Sequence, residues 1–330
     1  MRIGFCYDIP ENHPQFGERE DITAEYESEE TINALTEIMS EIGEVIKFPW
    51  HPDIFNDLKE HKPDVVFNIV ESWGSRNRES YIPNICEILE IPYTGSDGVA
   101  MGVSLDKELT KNIASARGVN TPDFYKARDI KDFEKLIDNV ILNFPLFVKP
   151  NSEGSSIGVR RFSQVQNKDE LYSTGKKLLD KYKSPILIEK FLPGREFVVA
   201  ILGNDNPHVF PVAEIVVEGG NFPFYSYEFK GRHQKKIKCP VNIEESKKEQ
   251  MVDDTLEIFN SLGCRDIARA DFKLDEKGEP NFIEINPLPG LSPYYSVYPE
   301  QAEKDGWDLN KIIKKLINCA LKRKKKPIVK

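Results

Sequence analysis

The spacing of apolar residues over the first hundred positions alternates between strand and helix periods. The segments RIGFCYDI and PDVVFNIV predict two buried strands, and IPYTGSD predicts a third, shorter one. Between the first two, apolar residues recur at helical spacing from Ile32 to Ile42, behind Ser28, a residue type that favours a helix N-cap. This alternation is typical of an open α/β layer and defines a first predicted domain, residues 1–105.

After residue 105 the pattern changes to short strands in close succession. A helical stretch, SLDKELTKNIASARG, precedes the strand PLFVKP, a loop of small residues, the strand IGVRRF and a helix near 168–183. The strands PILIEKFL, EFVVAILGN and HVFPVAEIVV come next, and the helix KKEQMVDDTLEIFNSLG leads into ARADFKLD and PNFIEIN. This order predicts a mixed, largely antiparallel α+β arrangement, with a central unit over 106–185, a C-terminal unit over 186–320 and a basic tail over 321–330.

The composition is that of an ordinary soluble protein, with 330 residues, 39% of them hydrophobic and 30% charged. The net charge of −9 argues against a general nucleic-acid binder, and no apolar run approaches the length of a membrane span. Five scattered cysteines without CxxC spacing, and a strand-like start in place of a signal peptide, predict a cytoplasmic protein with reduced thiols. We interpret the tail LKRKKKPIVK as a solvated helix end; contact with nucleic acid or an acidic membrane is the alternative.

A predicted hairpin near the C-terminus brings polar side chains together. Its strands flank a turn at Lys277–Gly278, where glycine supplies the positive φ of tight hairpin turns. An even-numbered loop centred there sets Asp271 opposite Glu284 and Arg269 opposite Asn286. An odd-numbered loop would break this pairing, and a proline at the start of the second strand, Pro280, is a warning about register.

Opposed carboxylates on this hairpin would be about 5 Å apart at their Cβ atoms, and they repel unless a cation lies between them. Oxygen ligands from Asp271, Glu284 and Asn286 suit Mg²⁺, which takes few protein carboxylates together with substrate phosphates. Arg269 on the same face would add a fork for a carboxylate or phosphoryl oxygen. The alternative is a solvent-facing hairpin with ordinary charge alternation.

Two further segments have features of a nucleotide site. The loop in FVKPNSEGSSIGV would let backbone N–H groups close on phosphate oxygens, although the loop taken alone favours a plain hairpin turn. It is not a P-loop, because GK[ST] is missing, and the absence of GxGxxG disfavours a dinucleotide fold.

In ILIEKFLPGREF, Glu189 and Glu196 bracket an apolar strand, as expected for acids that hold a ribose beside apolar walls for a base. Salt-bridged surface residues are the alternative there.

In this order and spacing, VKPNSEGSSIGV, LIEKFLPGREF, ARADFKLD and FIEINPLPG resemble the ATP-grasp superfamily, and within it the D-alanine–D-alanine ligase group. The resemblance covers roughly residues 80–300. It implies a three-domain architecture with ATP held between the central and C-terminal domains. It also implies Mg²⁺-dependent phosphorylation of a carboxylate to an acyl phosphate, which the amine of an amino-acid-like small molecule then attacks. Dimers are common in this group, so a homodimer is the assembly that the resemblance implies.

The resemblance also assigns roles to residues by motif, starting with the nucleotide. The implied ATP-binding set comprises the phosphate contacts Lys107, Lys149, Lys230 and Ser155, the adenine contact Glu189, the base-lining residues Lys190, Phe191, Leu192 and Ile283, and the ribose contact Glu196. Lys230, from the motif YEFK, would reach the phosphates from a mobile loop and would also be catalytic.

The other implied roles concern the metal and the reacting groups. Asp271, Glu284 and Asn286 would bind a pair of Mg²⁺ ions, with Mn²⁺ as the alternative metal. The implied catalytic residues are Arg269 and the Gly290 backbone N–H, which would stabilise an oxyanion, together with Ser156 of the serine loop. The implied substrate ligands are Glu25, for an amino group, and Ser296, for a carboxylate.

Departures from the family pattern fall on the amino-acid side of the site. The N-terminal Gly-Gly-x-Ser-x-Glu signature is missing, and Thr23-Ala24-Glu25 echoes only its Ser-x-Glu part. The acidic cluster that follows, Glu27–Glu30, has an alternative role in favouring a helix N-terminus. Gly231 stands where the family has a tyrosine, and the basic run after it is either a lid over an anionic substrate or a solvated loop.

The sequence therefore predicts an ATP-dependent carboxylate–amine ligase whose ATP chemistry is better defined than its amino-acid substrates. Two alternatives stay open at this point. One is an ATP-grasp ligase that modifies a peptide or protein acceptor, and the other is a non-catalytic nucleotide-binding regulator. An intact set of Asp271, Glu284, Asn286 and Arg269 favours catalysis over the regulator.

Overall fold

Three β-sheets form the framework of the protein in a computed structural model, which describes residues 1–10, 21, 24, 26–137, 139, 141–217 and 235–323. One sheet is parallel and belongs to the N-terminal unit, and two are antiparallel and follow it along the chain. The predicted combination of an α/β unit with an α+β region is confirmed.

The N-terminal unit is a parallel sheet of order β2-β1-β3 flanked by helices. Its elements are β1 (Arg2–Tyr7), α1 (Glu29–Ser40), β2 (Glu44–Pro49), α2 (Ile54–His61), β3 (Val65–Asn68), α3 (Tyr81–Ile88) and α4 (Gly98–Leu105). Ser28 is the N-cap of α1, as predicted, and its side chain accepts from Thr31 N at 3.2 Å. The strand predicted at IPYTGSD is reduced to one bridge between Tyr93 and Val66.

The central unit is a four-stranded antiparallel sheet of order β4-β7-β5-β6, backed by two helices. Its elements are β4 (Phe124–Ala127), α6 (Ile130–Ile137), β5 (Leu146–Pro150), β6 (Gln164–Val165), α7 (Lys168–Tyr182) and β7 (Ile186–Lys190). Strand β7 pairs with both β4 and β5, so this sheet extends past the boundary expected near residue 185.

The prediction of a strand at IGVRRF is wrong. That segment is a series of turns followed by a short 3₁₀ helix at Arg161–Ser163, and only β6 continues as strand. Positive φ angles at Ser155, Ser156 and Gly158 divert the chain away from extended geometry. The loop of small residues is therefore longer than the pattern of apolar residues suggested.

The C-terminal unit is built on an antiparallel sheet of order β11-β10-β8-β12-β13, with β9 beside β8. Its strands and helices are β8 (Glu196–Leu202), β9 (His208–Val209), β10 (Ala213–Val217), β11 (Lys235–Lys238), α8 (Glu245–Ser261), β12 (Ile267–Leu274), β13 (Pro280–Asn286) and α9 (Val297–Glu303). Helix α5 (Lys107–Ala116) packs its apolar face against this sheet, because Ala114 joins the same core as Phe282.

The last helix, α10 (Leu309–Arg323), returns to the N-terminal unit. Its buried residues Ile312 and Leu316 share a core with Phe5 of β1 and Leu35 of α1. The first and last segments of the chain are thus held together by apolar packing, which also includes Tyr298 from α9.

The hairpin β12–β13 has the predicted pairing at its polar end, with Asp271 opposite Glu284 and Arg269 opposite Asn286. The prediction of an even-numbered loop is wrong: Leu274 pairs with Pro280, so the number of residues between the strands is odd. A bulge at Ile283 inserts one extra residue and restores the predicted register beyond it.

The bulge has a consequence for the faces of β13. Phe282 and Ile285 pack into the core, whereas the two residues between them, Ile283 and Glu284, both line a cavity. A regular strand would send neighbouring side chains to opposite faces. The irregular register therefore places an apolar and an acidic side chain side by side.

We predict opposite stability effects for two helical glycines. A Cβ at Gly175 in α7 would overlap the ring of Phe133, whereas a Cβ at Gly102 in α4 would lie 3.3 Å from the Ser80 hydroxyl. Gly175→Ala should lose about 1–3 kcal/mol of stability through overpacking, while Gly102→Ala should be neutral or gain up to about 1 kcal/mol from helix propensity. Thermal unfolding midpoints of both variants measure this. Equal gains in both would contradict the close packing of α6 on α7.

Candidate active site

A cavity of about 970 Å³ lies where the central and C-terminal sheets meet, with Ala24, Tyr26 and Glu27 of the N-terminal unit on its wall. Strands β5 and β7 supply one side, and β12, β13 and the loop after β13 supply the other. The volume is at the upper end of the range for small-molecule and cofactor sites.

Within the described part of the chain, the cavity collects every side chain that the sequence assigned to the site. The residues concerned are Lys107, Lys149, Ser155, Ser156, Glu189, Lys190, Phe191, Leu192, Glu196, Arg269, Asp271, Ile283, Glu284, Asn286, Gly290 and Ser296. The other two assignments, Glu25 and Lys230, lie outside the described residues, as do Gly231 and the start of the basic run.

The end of β5 and the start of α5 are locked together, which brings two lysines into the cavity. Asp106 is the N-cap of α5, and its carboxylate accepts from Leu109 N and from the Asn151 amide, at 3.2 and 2.8 Å. The backbone N–H of Lys107 donates to Asn151 O at 3.1 Å. Lys107 and Lys149, two residues before Asn151, are consequently fixed near each other.

A buried triad of charges stands at the β7 side of the cavity. Glu189 Oε1 lies 2.7 Å from Lys149 Nζ, and Glu189 Oε2 lies 3.1 Å from the Nζ of Lys111, a residue that the sequence did not assign. Burial raises the pKa of the Glu189 carboxyl, but the two lysines outweigh that effect and hold the pKa below its usual value. Glu189 is therefore ionised at neutral pH.

A second buried pair joins α5 to the hairpin. Lys107 Nζ lies 3.1 Å from Glu284 Oε2 and also donates to the carbonyl of Glu153 at 2.6 Å. Burial alone would raise the pKa of Glu284, but Lys107 and Lys149 lower it to about 2. The carboxylate is thus charged and already neutralised by a lysine.

Arg269 forms a two-pronged ion pair with Asp271 on the same strand. Its Nε and Nη2 donate to the two carboxylate oxygens at 2.7 and 2.9 Å. Burial raises the pKa of Asp271, and Arg269 offsets part of that rise. The sequence predicted that the Arg269 guanidinium would be free to bind a ligand. Instead Asp271 engages it, and this ion pair fixes Arg269 in the cavity wall.

The hairpin presents two carboxylates and one amide to the cavity. Within the described residues, no group of three or more His, Cys, Asp or Glu side chains gathers to hold a metal. Asn286 Oδ1 accepts from Leu288 N at 2.8 Å, which orients its amide. Such an incomplete oxygen set fits Mg²⁺ that shares its coordination with phosphate oxygens.

The loop after β13 forms the far end of the cavity, beside Ser296. A Cβ at Gly290 would lie 2.7 Å from the Ser296 hydroxyl and 3.1 Å from Glu27 Oε1, so only glycine fits there. Glu27 accepts from Leu291 N at 3.2 Å and from the Tyr295 hydroxyl at 2.6 Å. The sequence placed Glu27 only at a helix start, and nothing in its spacing indicated the contact with Tyr295.

A third unassigned residue ties the N-terminal unit to the small-residue loop. Asp21 is fully buried and accepts from Tyr182 OH at 2.6 Å, from Gly158 N at 3.2 Å and from Arg160 at 3.1 Å. Asp21 therefore contacts the central unit, whereas Glu27 contacts the C-terminal unit.

Comparison with known proteins agrees with this geometry. The family model described as the C-terminus of D-ala D-ala ligase matches residues 113–318. The D-alanine–D-alanine ligase of Carboxydothermus hydrogenoformans is 31% identical over 290 residues, covering 86% of this chain and 89% of that protein. The corresponding ligase of Aquifex aeolicus is 33% identical over 291 residues, covering 87% and 93%.

A solved structure shows the same fold. The D-alanine–D-alanine ligase from Bacillus anthracis superposes with a TM-score of 0.73 at 23% identity, covering 98% of this chain and 99% of that one. Fold and cavity together define an ATP-dependent ligase of ATP-grasp architecture, which forms C–N bonds between a carboxylate and an amine. The chain belongs to the D-alanine–D-alanine ligase family.

Two general expectations from the sequence meet the structure here. All five cysteines fall within the described ranges and are free thiols, as their scattered spacing predicted. Among the described helices, none has the length and apolar character needed to cross a membrane.

We predict that Glu284 contributes to the loss of folding stability at acidic pH. Its folded pKa of about 2 lies below the ordinary 4.5, so its stabilising effect is complete above pH 4.5 and is lost as the pH falls toward 2. Between pH 5 and pH 3 this loss is about 2 kcal/mol. Glu284→Gln should flatten the fall of the unfolding free energy over that interval, measured by denaturant titration. Exposed Glu37 in α1 provides the control, since Glu37→Gln should leave the slope unchanged; an unchanged slope in Glu284→Gln would contradict the buried pair.

Proposed function

We propose that this protein uses Mg·ATP to join two small amino acids, with D-alanine as the carboxylate donor, as the names of its relatives indicate for them. The observation that supports this most strongly is the single cavity that contains the lysines, the acids and the glycine loop at once. Phosphoryl transfer and amide formation need these groups within reach of one carboxylate.

The nucleotide would lie along β7, with its phosphates toward α5. Phe191, Leu192 and Ile283 provide apolar walls for the base, while Glu189 and Glu196 face the exocyclic amino group and the ribose. The Bacillus anthracis ligase was crystallised with ATP, which is consistent with the same cleft in this chain.

The phosphate end of this cleft carries both positive charge and metal-binding oxygens. Lys107, Lys149 and the serine loop at Ser155 would hold the phosphates. Asp271, Glu284 and Asn286 would hold Mg²⁺, which supplies neutralisation of the phosphoryl charge when bound. Since Lys107 pairs with Glu284 here, we expect that lysine to exchange its carboxylate for a phosphate when the metal binds.

Catalysis would proceed by transfer of the γ-phosphoryl group to a carboxylate oxygen of the first amino acid, with ADP leaving. The acyl phosphate that results is a good electrophile, and attack by the second amine releases phosphate. Arg269, held by Asp271, and the backbone N–H of Gly290 are placed to stabilise the oxyanion that forms at the carbonyl. Ser156 and Lys230 stay predictions for catalysis.

The acceptor would bind at the end of the cavity near Ser296. Its hydroxyl accepts from Ser292 N at 3.1 Å, so its O–H remains able to donate to a substrate carboxylate. Glu27 beside Ser296 and Glu25 in the same segment would favour binding of the acceptor's ammonium group. The hydroxyl of Ser296 and the carboxylate of Glu27 at this end support an amino acid as the acceptor. A homodimer stays a prediction.

ADP release in the presence of Mg·ATP and paired amino acids tests this function. We expect release that depends on D-alanine in a panel of D-alanine, D-serine, glycine, L-alanine and small amines, with a dipeptide as product. Glu284→Gln should lower turnover about 100-fold or more, because a metal ligand and a counter-charge are lost together. The matched control Glu37→Gln, on an exposed helix face, should retain full activity.

Three results would contradict the proposal. Release stimulated only by a peptide or protein would assign the ligase to a macromolecular acceptor. ATP binding with no release across the whole panel would indicate a regulator. Unchanged turnover in Glu284→Gln would reject the assigned metal site.

A further inference from the structure

The buried triad of Lys111, Lys149 and Glu189 contains more positive than negative charge. Around it, Glu284 pairs with Lys107, Asp271 with Arg269, and Glu196 with Lys273. In the triad, one carboxylate is shared by two lysines, and all three side chains are almost completely buried. An excess buried charge is costly unless a ligand of opposite sign compensates it.

The two lysines differ in their access to the cavity. Lys149 is part of the cavity wall, whereas Lys111 lies behind it and has no exposed surface. Lys111 Nζ donates to the Thr121 hydroxyl at 2.8 Å, and that hydroxyl donates to the carbonyl of Phe282 at 2.9 Å, next to the bulge. Lys111 is therefore fixed from both sides and cannot reach a ligand in the cavity, while Lys149 can.

We propose that Lys111 is a positioning residue: it is the permanent counter-charge of Glu189, which frees Lys149 to leave that carboxylate and bind the nucleotide's phosphates. This inference rests on the proposed function, because it takes Lys149 as a phosphate contact. Without Lys111, departure of Lys149 would leave a buried, unpaired carboxylate, and such a state is strongly unfavourable. With Lys111 in place, Glu189 stays ionised and its Oε1 becomes available for the amino group of the base.

The arrangement couples the two ends of the nucleotide site. When Lys149 moves to a phosphate, the oxygen that it leaves is the one on the cavity side of Glu189. Phosphate binding would thereby expose the acceptor that the base needs. Adenosine, which has no phosphate, gains nothing from this exchange, so its affinity should depend little on Lys111.

The titration of Lys111 gives this exchange a pH dependence. Burial lowers the pKa of Lys111 to about 8, and the attraction of Glu189 from β7 limits the drop. The other groups that act on it are Lys149 of β5, which lowers the pKa, and Glu284 of β13, which raises it; the ring of Phe124 lies 5.9 Å away. Above about pH 8 the counter-charge is lost, so affinity for phosphates should fall there while affinity for adenosine should not.

The test compares the binding of adenosine, ADP and Mg·ATP to the full chain by calorimetry, in wild type, Lys111→Met and Lys111→Arg. Lys111→Met should weaken ADP and Mg·ATP about tenfold or more and adenosine less than about twofold, and arginine should restore most of the loss. Lys131→Met, at an exposed position on α6, is the control with no expected effect.

A double variant distinguishes counter-charge from simple packing. In Lys111→Met with Glu189→Gln, no carboxylate remains to retain Lys149, so the ratio of ADP affinity to adenosine affinity should return toward that of wild type. The proposal is overturned if Lys111→Met weakens adenosine and ATP equally, if it changes neither, or if the double variant has the same ratio as the single one.

Wild type alone provides a second measurement that does not depend on any variant folding. The ratio of the ADP and adenosine dissociation constants, followed from pH 7 to pH 9, should rise selectively above about pH 8. A constant ratio would overturn the role of Lys111. A wild-type protein that binds adenosine and ADP but releases no ADP from ATP with any amino acid would instead overturn the proposed function and leave this inference standing.

Discussion

The pairing of buried charges between neighbouring elements is the constraint on which the site depends. Lys107 and Lys149 are held by carboxylates from a different strand, so removal of either partner would leave a charge in a low-dielectric wall. These pairs hold α5, β5, β7 and β13 in register across the cavity. They also keep Glu189 and Glu284 ionised, because the lysines lower the pKa of both carboxyl groups.

The N-terminal unit closes the amino-acid end of the cavity because it is attached to the rest of the chain at several points. Asp21 contacts the central unit, Glu27 contacts the loop after β13, and α10 packs on the first sheet. Asp266, at a turn before β12, also accepts from Gly95 N at 2.9 Å. Under the proposed function, substrate selection would lie in the part of the chain that departs most from the family pattern.

Local patterns predicted most of the elements, and the resemblance to the ATP-grasp superfamily indicated residues that the structure gathers around one cavity. The predicted register is right at Asp271 and Glu284 because two one-residue shifts cancel: the odd-numbered turn shifts the pairing one way and the bulge at Ile283 shifts it back. Neither the odd-numbered turn nor the bulge can be predicted from residue spacing. The strand at IGVRRF failed because tertiary contacts with Asp21 hold that segment as turns. Lys111 follows Lys107 by one helical turn, so the sequence predicts that both lysines lie on the same face of α5. The sequence does not predict that Lys111 pairs with Glu189, on a strand far along the chain.

We propose that the hairpin carboxylates bind metal together with the nucleotide and not on their own. Electron paramagnetic resonance titration of Mn²⁺, with and without a non-hydrolysable ATP analogue, measures this directly. We expect weak binding to the protein alone, because Lys107 and Arg269 already neutralise the acids. With the nucleotide we expect tight binding of a pair of ions, which is lost in Asp271→Asn. Tight binding without nucleotide, or full binding by Asp271→Asn, would contradict it.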